Sequence, residues 1–224
     1  MIEAPQGVEE LPATIPIFPL AGVLLLPRAR LPLQMFEPRY VALAEDAMAG
    51  DRVIGMIQPR QQEQQMPDDA PDVFETGCLG RIVEHRRTDD GRHLVTLAGI
   101  CRFAVAEEVA PQRGYRRVVA DYSAFADDLD DVGTAVGPDA FDRARFLAAL
   151  RDYMDTNGIA ADWEAIDESS DDRLVSALAM LCPFAPSEKQ ALLECASLGG
   201  RAEAMTTLFE MSVAEGGASR PTSH

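Results

Sequence analysis

The chain has 224 residues, 47% of them hydrophobic, which is enough to bury a core as one large domain or two small ones without disulfide staples. Its formal net charge of -17 at pH 7 opposes a phosphate backbone, which is bound by clustered Lys and Arg, so no nucleic acid is expected as a partner. Four cysteines with no close pair fit neither a disulfide framework nor a zinc site, and the least charged run, residues 11–27, is broken by Pro12, Pro16, Pro19 and Pro27. That run predicts neither a signal peptide nor a membrane span, and the expected location is the cytoplasm.

Up to about residue 122 the chain reads as short strands, over 15–18, 23–26, 31–36, 52–58, 78–87, 94–107 and 115–122, each β-branched, aromatic or alternating and bounded by Pro or Gly. Asp90-Gly91 is a hairpin signal between two of them. One helix interrupts the strands, with Pro38 in its first turn, Tyr40, Val41, Leu43, Ala44, Ala47 and Met48 on its inner face, and Gly50 at its end. Residues 60–72, rich in Gln, Asp and Pro, predict a long loop.

Asp, Gly and Ala then dominate and mark an acidic linker over 125–138. A helical period follows through 139–215. Phe141, Ala144, Leu147, Ala148, Leu150 and Met154 mark one face, Asn157-Gly158 closes that helix, and Asp171 or Asp172 can cap the next. Ser187 and Gln190 form a capping-box pattern ahead of a helix that Gly199-Gly200 would stop, and a last helix carries Met205, Leu208, Phe209 and Val213. Residues 216–224 predict a disordered tail. The expected fold class is α+β, a small curled sheet or barrel over 12–124 with one inserted helix, followed by helices over 139–215.

Catalytic chemistry is hard to find. There is no Gly-x-x-x-x-Gly-Lys phosphate loop, and the single lysine, Lys189, reads as an ordinary surface residue beside Ser187 and Glu188. His85 and His93 flank the Asp90-Gly91 turn, with Cys78 and Cys101 further along the same strands, so a hairpin can bring some of them together. Cys-His catalysis also needs an orienting group and an oxyanion site; Cys101 and Cys182 read as small buried apolar residues and the histidines as exposed strand positions. Asp127-Asp128, Asp130-Asp131 and Asp171-Asp172 lack the spacing of a calcium loop and read as solvated linker and helix caps. No catalytic residue, metal or cofactor is expected.

The segment IPIFPLAGVLLLPRARLPLQMFEPRYVALAED, residues 15–46, resembles the opening of the Lon protease N-terminal domain family. The resemblance rests on Pro16, Phe18, Pro19 and Leu20, then Leu25, Leu26 and Pro27, then Pro32 and Leu33, and then Phe36, Glu37, Pro38, Arg39 and Tyr40. Ile54-Gly55-Met56, the run from Gly77 to Ile82, Asp90-Gly91-Arg92, the run from Gly99 to Phe103, Asp162-Trp163-Glu164 and the run from Pro186 to Leu193 follow in family order.

The likeness implies a PUA-like barrel followed by a helical bundle, acting by binding unfolded or extended polypeptide without hydrolysis, since the chain ends before an ATPase or peptidase domain could begin. A protease or a chaperone is the partner such an adaptor would take; a small-ligand or RNA sensor and a hydrolase built on Cys101 or Cys78 are the competing readings. Leu24, Leu25, Leu26, Met35, Phe36 and Met56 are the candidate peptide-binding positions, on an apolar turn and neighbouring strands whose sheet edge could take an extended segment. Glu37, Pro38, Arg39, Tyr40, Arg81 and Arg102 read as structural, with Glu37 expected to bond one or more of the arginines and clamp the helix to the barrel.

Overall fold

The computed structural model describes Pro5 and residues 7–60, 72–130 and 141–218, with side chains placed up to Glu215. Residues 61–71 of the expected loop at 60–72, and most of the expected linker and tail, lie outside the described residues. The chain divides into two compact units, one of Met1–Val132 with Pro183–Leu193 and the other of Gly133–Cys182 with Glu194–His224.

The first unit is built on a mixed six-stranded sheet of β1 (Thr14–Pro19), β2 (Arg30–Met35), β3 (Val53–Ile57), β4 (Thr76–Arg87), β5 (His93–Gln112) and β6 (Tyr115–Asp121), with α1 (Pro38–Ala49) between β2 and β3. The strand order is β2-β5-β4-β3-β1-β6, and β1 and β3 run parallel while the other pairs are antiparallel. β5 has 20 residues. That length lets its first part pair with β2 and its last part with β6, so the pairing β5-β4-β3-β1-β6 returns to β5. Ile15, Ile17, Val53, Leu79, Phe103 and Val118 alternate inward from different strands and make the core. A Cβ on Gly77 would stand 2.5 Å from Phe103 Cζ, so the glycine is what admits the ring there.

The expected strand at 23–26 is absent. Leu24, Leu25 and Leu26 are buried in an irregular turn whose backbone crosses β5 so closely that a Cβ on Gly99 would lie 2.0 Å from the Leu26 carbonyl oxygen. The run is apolar because it is enclosed, and Arg28 N bonds Gly99 O at 2.8 Å where a ladder would otherwise begin. The Asp90-Gly91 turn joins β4 to β5 as expected, with Gly91 at φ 85°. α1 follows its expected signals, with Pro38 in its first turn and Gly50 at its C-cap.

α5 (Pro186–Glu194) lies partly within the first unit, not the expected helical grouping 139–215. Two buried amides explain why: Gln58 Nε2 donates to Pro186 O at 3.0 Å, and Gln190 Nε2 donates to Thr76 O at 3.1 Å. The capping-box expectation is corrected by the same fact, because Gln190 is turned to β4 and Glu188 Oε2 accepts from Ala185 N instead, at 2.7 Å.

The second unit contains α2 (Arg143–Asn157), α3 (Trp163–Glu168), α4 (Asp171–Leu181) and α6 (Leu198–Ala218). Asp142 caps α2 through Arg145 N and Gly158 closes it in the left-handed region. Its buried face is Phe146, Ala149, Leu150, Tyr153 and Met154, so Leu147 and Ala148 are turned off the expected stripe. Phe209 of α6 receives Phe146 edge-on at 5.8 Å and Tyr153 at 4.9 Å, and this aromatic cluster selects the face. Ser170 rather than either aspartate is the N-cap of α4, leaving Asp171 to pair with Arg143. Gly199 and Gly200 begin α6 and do not end α5, and α6 continues through Gly216-Gly217, where a disordered tail was expected to start.

Candidate functional site

Five of the six candidate peptide-binding residues, Leu24, Leu25, Leu26, Met35 and Met56, are at most 3% exposed. As an open apolar groove the set is therefore corrected: the turn and strands that carry these side chains use them as core. Phe36, the residue after β2, is 66% exposed and is the one member that meets solvent.

Next to it in the chain, β2, β5 and β4 frame an open depression of about 560 Å³. Pro32 and Gln34 of β2, Leu94 and Thr96 of β5, and Glu84 and Arg86 of β4 contribute to its lining. The register places them side by side, Pro32 opposite Thr96, Gln34 and Arg86 each opposite Leu94, and Glu84 opposite Thr96. Glu84 is engaged, accepting from Thr96 Oγ1 at 3.0 Å and pairing loosely with Arg30 at 3.7 Å. Sequence reading missed this surface because its lining is short polar and apolar alternation, indistinguishable from any half-exposed strand.

The expected clamp is also reassigned. Glu37 Oε2 accepts from Arg39 Nε at 3.0 Å and Nη2 at 2.9 Å, a pairing two residues long at a partly exposed site. Arg39 stacks over Tyr40 at 4.8 Å, and Tyr40 packs on Phe18 with ring centroids 4.2 Å apart. Arg81 is half-buried on β4. Arg102, buried on β5, bonds Asp128 instead, with Nη2 to Oδ1 at 2.8 Å and Nε to Oδ2 at 2.9 Å, and gives Nη1 to Leu193 O at 3.2 Å. Burial opposes the charge on Arg102, and the bond and attraction of Asp128 outweigh it, raising the guanidinium pKa. Asp128, read from sequence as solvated linker, sits in the 3₁₀ turn Ser123–Leu129 that follows β6.

The hairpin brings the two histidines together and leaves Cys78 and Cys101, neighbours across β4 and β5, far along the strands from them. His85 and His93 share a 2.9 Å bond between Nε2 and Nδ1, and His93 is 2% exposed, contrary to the expected exposed position. Cys101 lies eight residues along β5 from His93, roughly 26 Å at the usual strand rise. Its thiol donates to Arg102 O at 3.1 Å and Phe125 O at 3.3 Å, and burial first, then Asp128, push its pKa up to about 12. A thiol so held is a poor nucleophile. Lys189 is corrected as well: it is buried, not a surface residue.

The family model of the ATP-dependent protease La (LON) substrate-binding domain matches residues 14–210. The chain belongs to the LON substrate-binding domain family.

Among curated relatives, Lon protease 2 of Myxococcus xanthus is 33% identical over 109 residues, 47% of this chain and 13% of that protein. The Lon protease of Azospirillum brasilense is 26% identical over 222 residues, 94% of this chain and 25% of that protein. The chain thus corresponds to between 13% and 25% of the length of these two relatives. In fold it is similar to the crystal structure of a Lon N-terminal domain protein from Xanthomonas campestris, at TM-score 0.57 and 21% identity over 87% of this chain and 97% of that one. The N-terminal domain of the Mycobacterium avium complex Lon protease gives TM-score 0.59 and 13% identity over 88% and 98%. Within the LON domain, the family motif residues Phe18, Tyr40 and Arg102 are accounted for by packing and pairing, whereas Phe36 of the same motif is not.

Proposed function

We propose that this chain is a polypeptide-binding module, and that Phe36 with the depression framed by β2, β5 and β4 is where an extended segment is held. The observation that carries the reading is a phenylalanine left 66% exposed two residues beyond Gln34, which lines the depression, in a chain of the LON substrate-binding family. Large aromatics are costly to leave in water and are effective anchors when a partner covers them. Leu24, Leu25, Leu26, Met35 and Met56 act in this reading from beneath, fixing the turn and strand that present Phe36. In this reading the circuit of strand pairing serves as the PUA-like barrel that the family resemblance implies, and it is the platform that presents Phe36.

The module captures polypeptide and does not cleave it, serving in the cytoplasm as an adaptor or modulator of proteolysis with a protease or chaperone as its partner. Its strongly acidic surface disfavours nucleic acid. The test is fluorescence anisotropy with a permanently unfolded, reduced and alkylated model protein against the native form of the same protein. Binding of the unfolded form alone, weakened about tenfold or more in Phe36→Ser, is expected from a buried aromatic anchor. Equal binding by wild type and Phe36→Ser, or none by wild type, overturns the reading.

A further inference from the structure

We propose that the His85–His93 pair is a proton-operated latch, closed at neutral pH, whose opening in acid frees the Met35 end of β2 from β5 and so loosens the face that carries Phe36. The local opening stands by itself; its consequence for binding rests on the function proposed above.

His93 is the first residue of β5, and the register sets it directly opposite Met35, the last residue of β2, on one side and Arg87 of β4 on the other. His93 is thus enclosed at the junction of three strands. His85, exposed at the rim of the depression, reaches it through the 2.9 Å Nε2–Nδ1 bond. A bond between two imidazole nitrogens needs one proton between them, because two protonated rings present only donors to each other. The other nitrogen of His93, Nε2, is buried with no hydrogen-bond partner among the described residues. The closed state therefore already forgoes one bond that water would supply, which lowers the cost of opening.

The charged groups around the ring decide the sign. From β4, His85 and Arg87 both disfavour a charge on His93. From α1, Glu45 favours it, but that carboxylate is held by Arg113 of the β5–β6 turn at 2.8 Å, and Arg113 also takes the neighbouring Asp46. β2 offers only uncharged side chains there, Met35 and Gln34. Arg92, the preceding residue, is paired with Asp90 at 2.7 Å. Burial first, then His85 and Arg87, hold the His93 pKa below the ordinary 6.5, against the weaker pull of Glu45. A depressed histidine value means the open state takes the proton first, so closure is fully favoured above pH 6.5 and is lost as pH falls below it.

The experiment is amide hydrogen exchange on the full chain, corrected for the intrinsic pH dependence of exchange, from about pH 7.5 to about pH 5. Protection of Leu31, Leu33, Gln34 and Met35 in β2 is expected to fall by up to about tenfold per pH unit below the onset, the slope of one linked proton. His93→Asn, which keeps an acceptor near His85 but cannot titrate, is expected to flatten the profile; an unflattened profile overturns the latch. Should that variant not fold, imidazole and amide NMR of the wild type decides: β2 amides shifting with the His93 midpoint support the latch, and β2 amides indifferent to it overturn it. Phe36→Ser separates the two proposals, since it should weaken capture of the alkylated model protein about tenfold or more and leave the exchange profile intact. Wild type that captures this probe while its β2 protection stays flat overturns the latch alone, and a pH-dependent profile without capture overturns the binding reading alone.

Discussion

Arg102 and Asp128 meet through two parallel hydrogen bonds of 2.8 and 2.9 Å with about a tenth of each side chain exposed. Asp128 Oδ2 also accepts from Arg102 N at 2.9 Å, so one carboxylate fixes both the backbone and the side chain of β5 at that point. Removing one partner leaves a buried charge uncompensated, whereas replacing both can be nearly neutral. Asp128→Asn should lower the unfolding free energy by about 3–5 kcal/mol. Chemical denaturation measures this, and the double replacement Arg102→Leu with Asp128→Leu should recover part of the loss.

Glu37 presents the opposite case. Among the described residues its side chain pairs with Arg39, at a site where the two side chains are about a third or more exposed. Glu37→Gln should change stability by less than about 0.5 kcal/mol, as exposed ion pairs do. A large drop in the denaturation midpoint would restore the clamp that the motif suggested.

Two glycines of the first unit should respond differently to one added methyl group. Gly99→Ala drives a Cβ into the Leu26 carbonyl at 2.0 Å, where Arg28 and Ala29 bond the Gly99 backbone on both sides and prevent retreat. Its cost should reach or exceed the ~3 kcal/mol upper range of overpacking. Gly91→Ala meets no atom within 4 Å and carries only the strain of φ 85°, about 1 kcal/mol. Thermal unfolding of the two variants in parallel tests the order.

Tyr115 and Asp46 tie β6 to α1 and make stability fall at both ends of the pH scale. The phenol donates to Asp46 Oδ2 at 2.8 Å, alongside Gln112 at 3.0 Å and Arg113. Burial alone would raise the Asp46 carboxyl, but the bonds from Tyr115, Arg113 and Gln112 outweigh it and hold it below the usual 3.8. Its contribution is complete above pH 3.8 and disappears as pH drops through the folded value. For Tyr115, burial first and then Asp46 push the phenol from 10.0 up to about 12, so that contribution is complete below pH 10 and is lost toward pH 12. Unfolding free energies measured across pH should show both limbs, and Tyr115→Phe should reduce the alkaline one.

Most strands and α1 were legible because their signals are local: alternation, Pro38 in a first turn, Gly50 after a last one, Asp90-Gly91 between two runs. What failed depended on distant atoms. Leu24, Leu25 and Leu26 have the composition of a strand, and only the close crossing at Gly99 makes them a turn. Asp128 lies in an acidic stretch that reads as solvated, and its burial requires Arg102, 26 residues earlier in the chain. Lys189 and Gln190 sit in the first turn of a helix, where exposure is the default, yet Gln190 is bonded to Thr76. Of the candidate site, the exposure of Phe36 could not be told from the burial of Met35 beside it, since both end the same apolar run.

The glutamines that bind α5 to the sheet impose an order on synthesis. Gln58, the residue after β3, is buried, and its amide finds Pro186 O only after more than a hundred further residues have been joined. A nascent chain halted near the acidic stretch would lack α5, so the Gln58 amide and the Thr76 carbonyl would be left to water in place of Pro186 and Gln190. The first unit is therefore finished late, when the ribosome has passed Leu193, although every one of its strands was translated early.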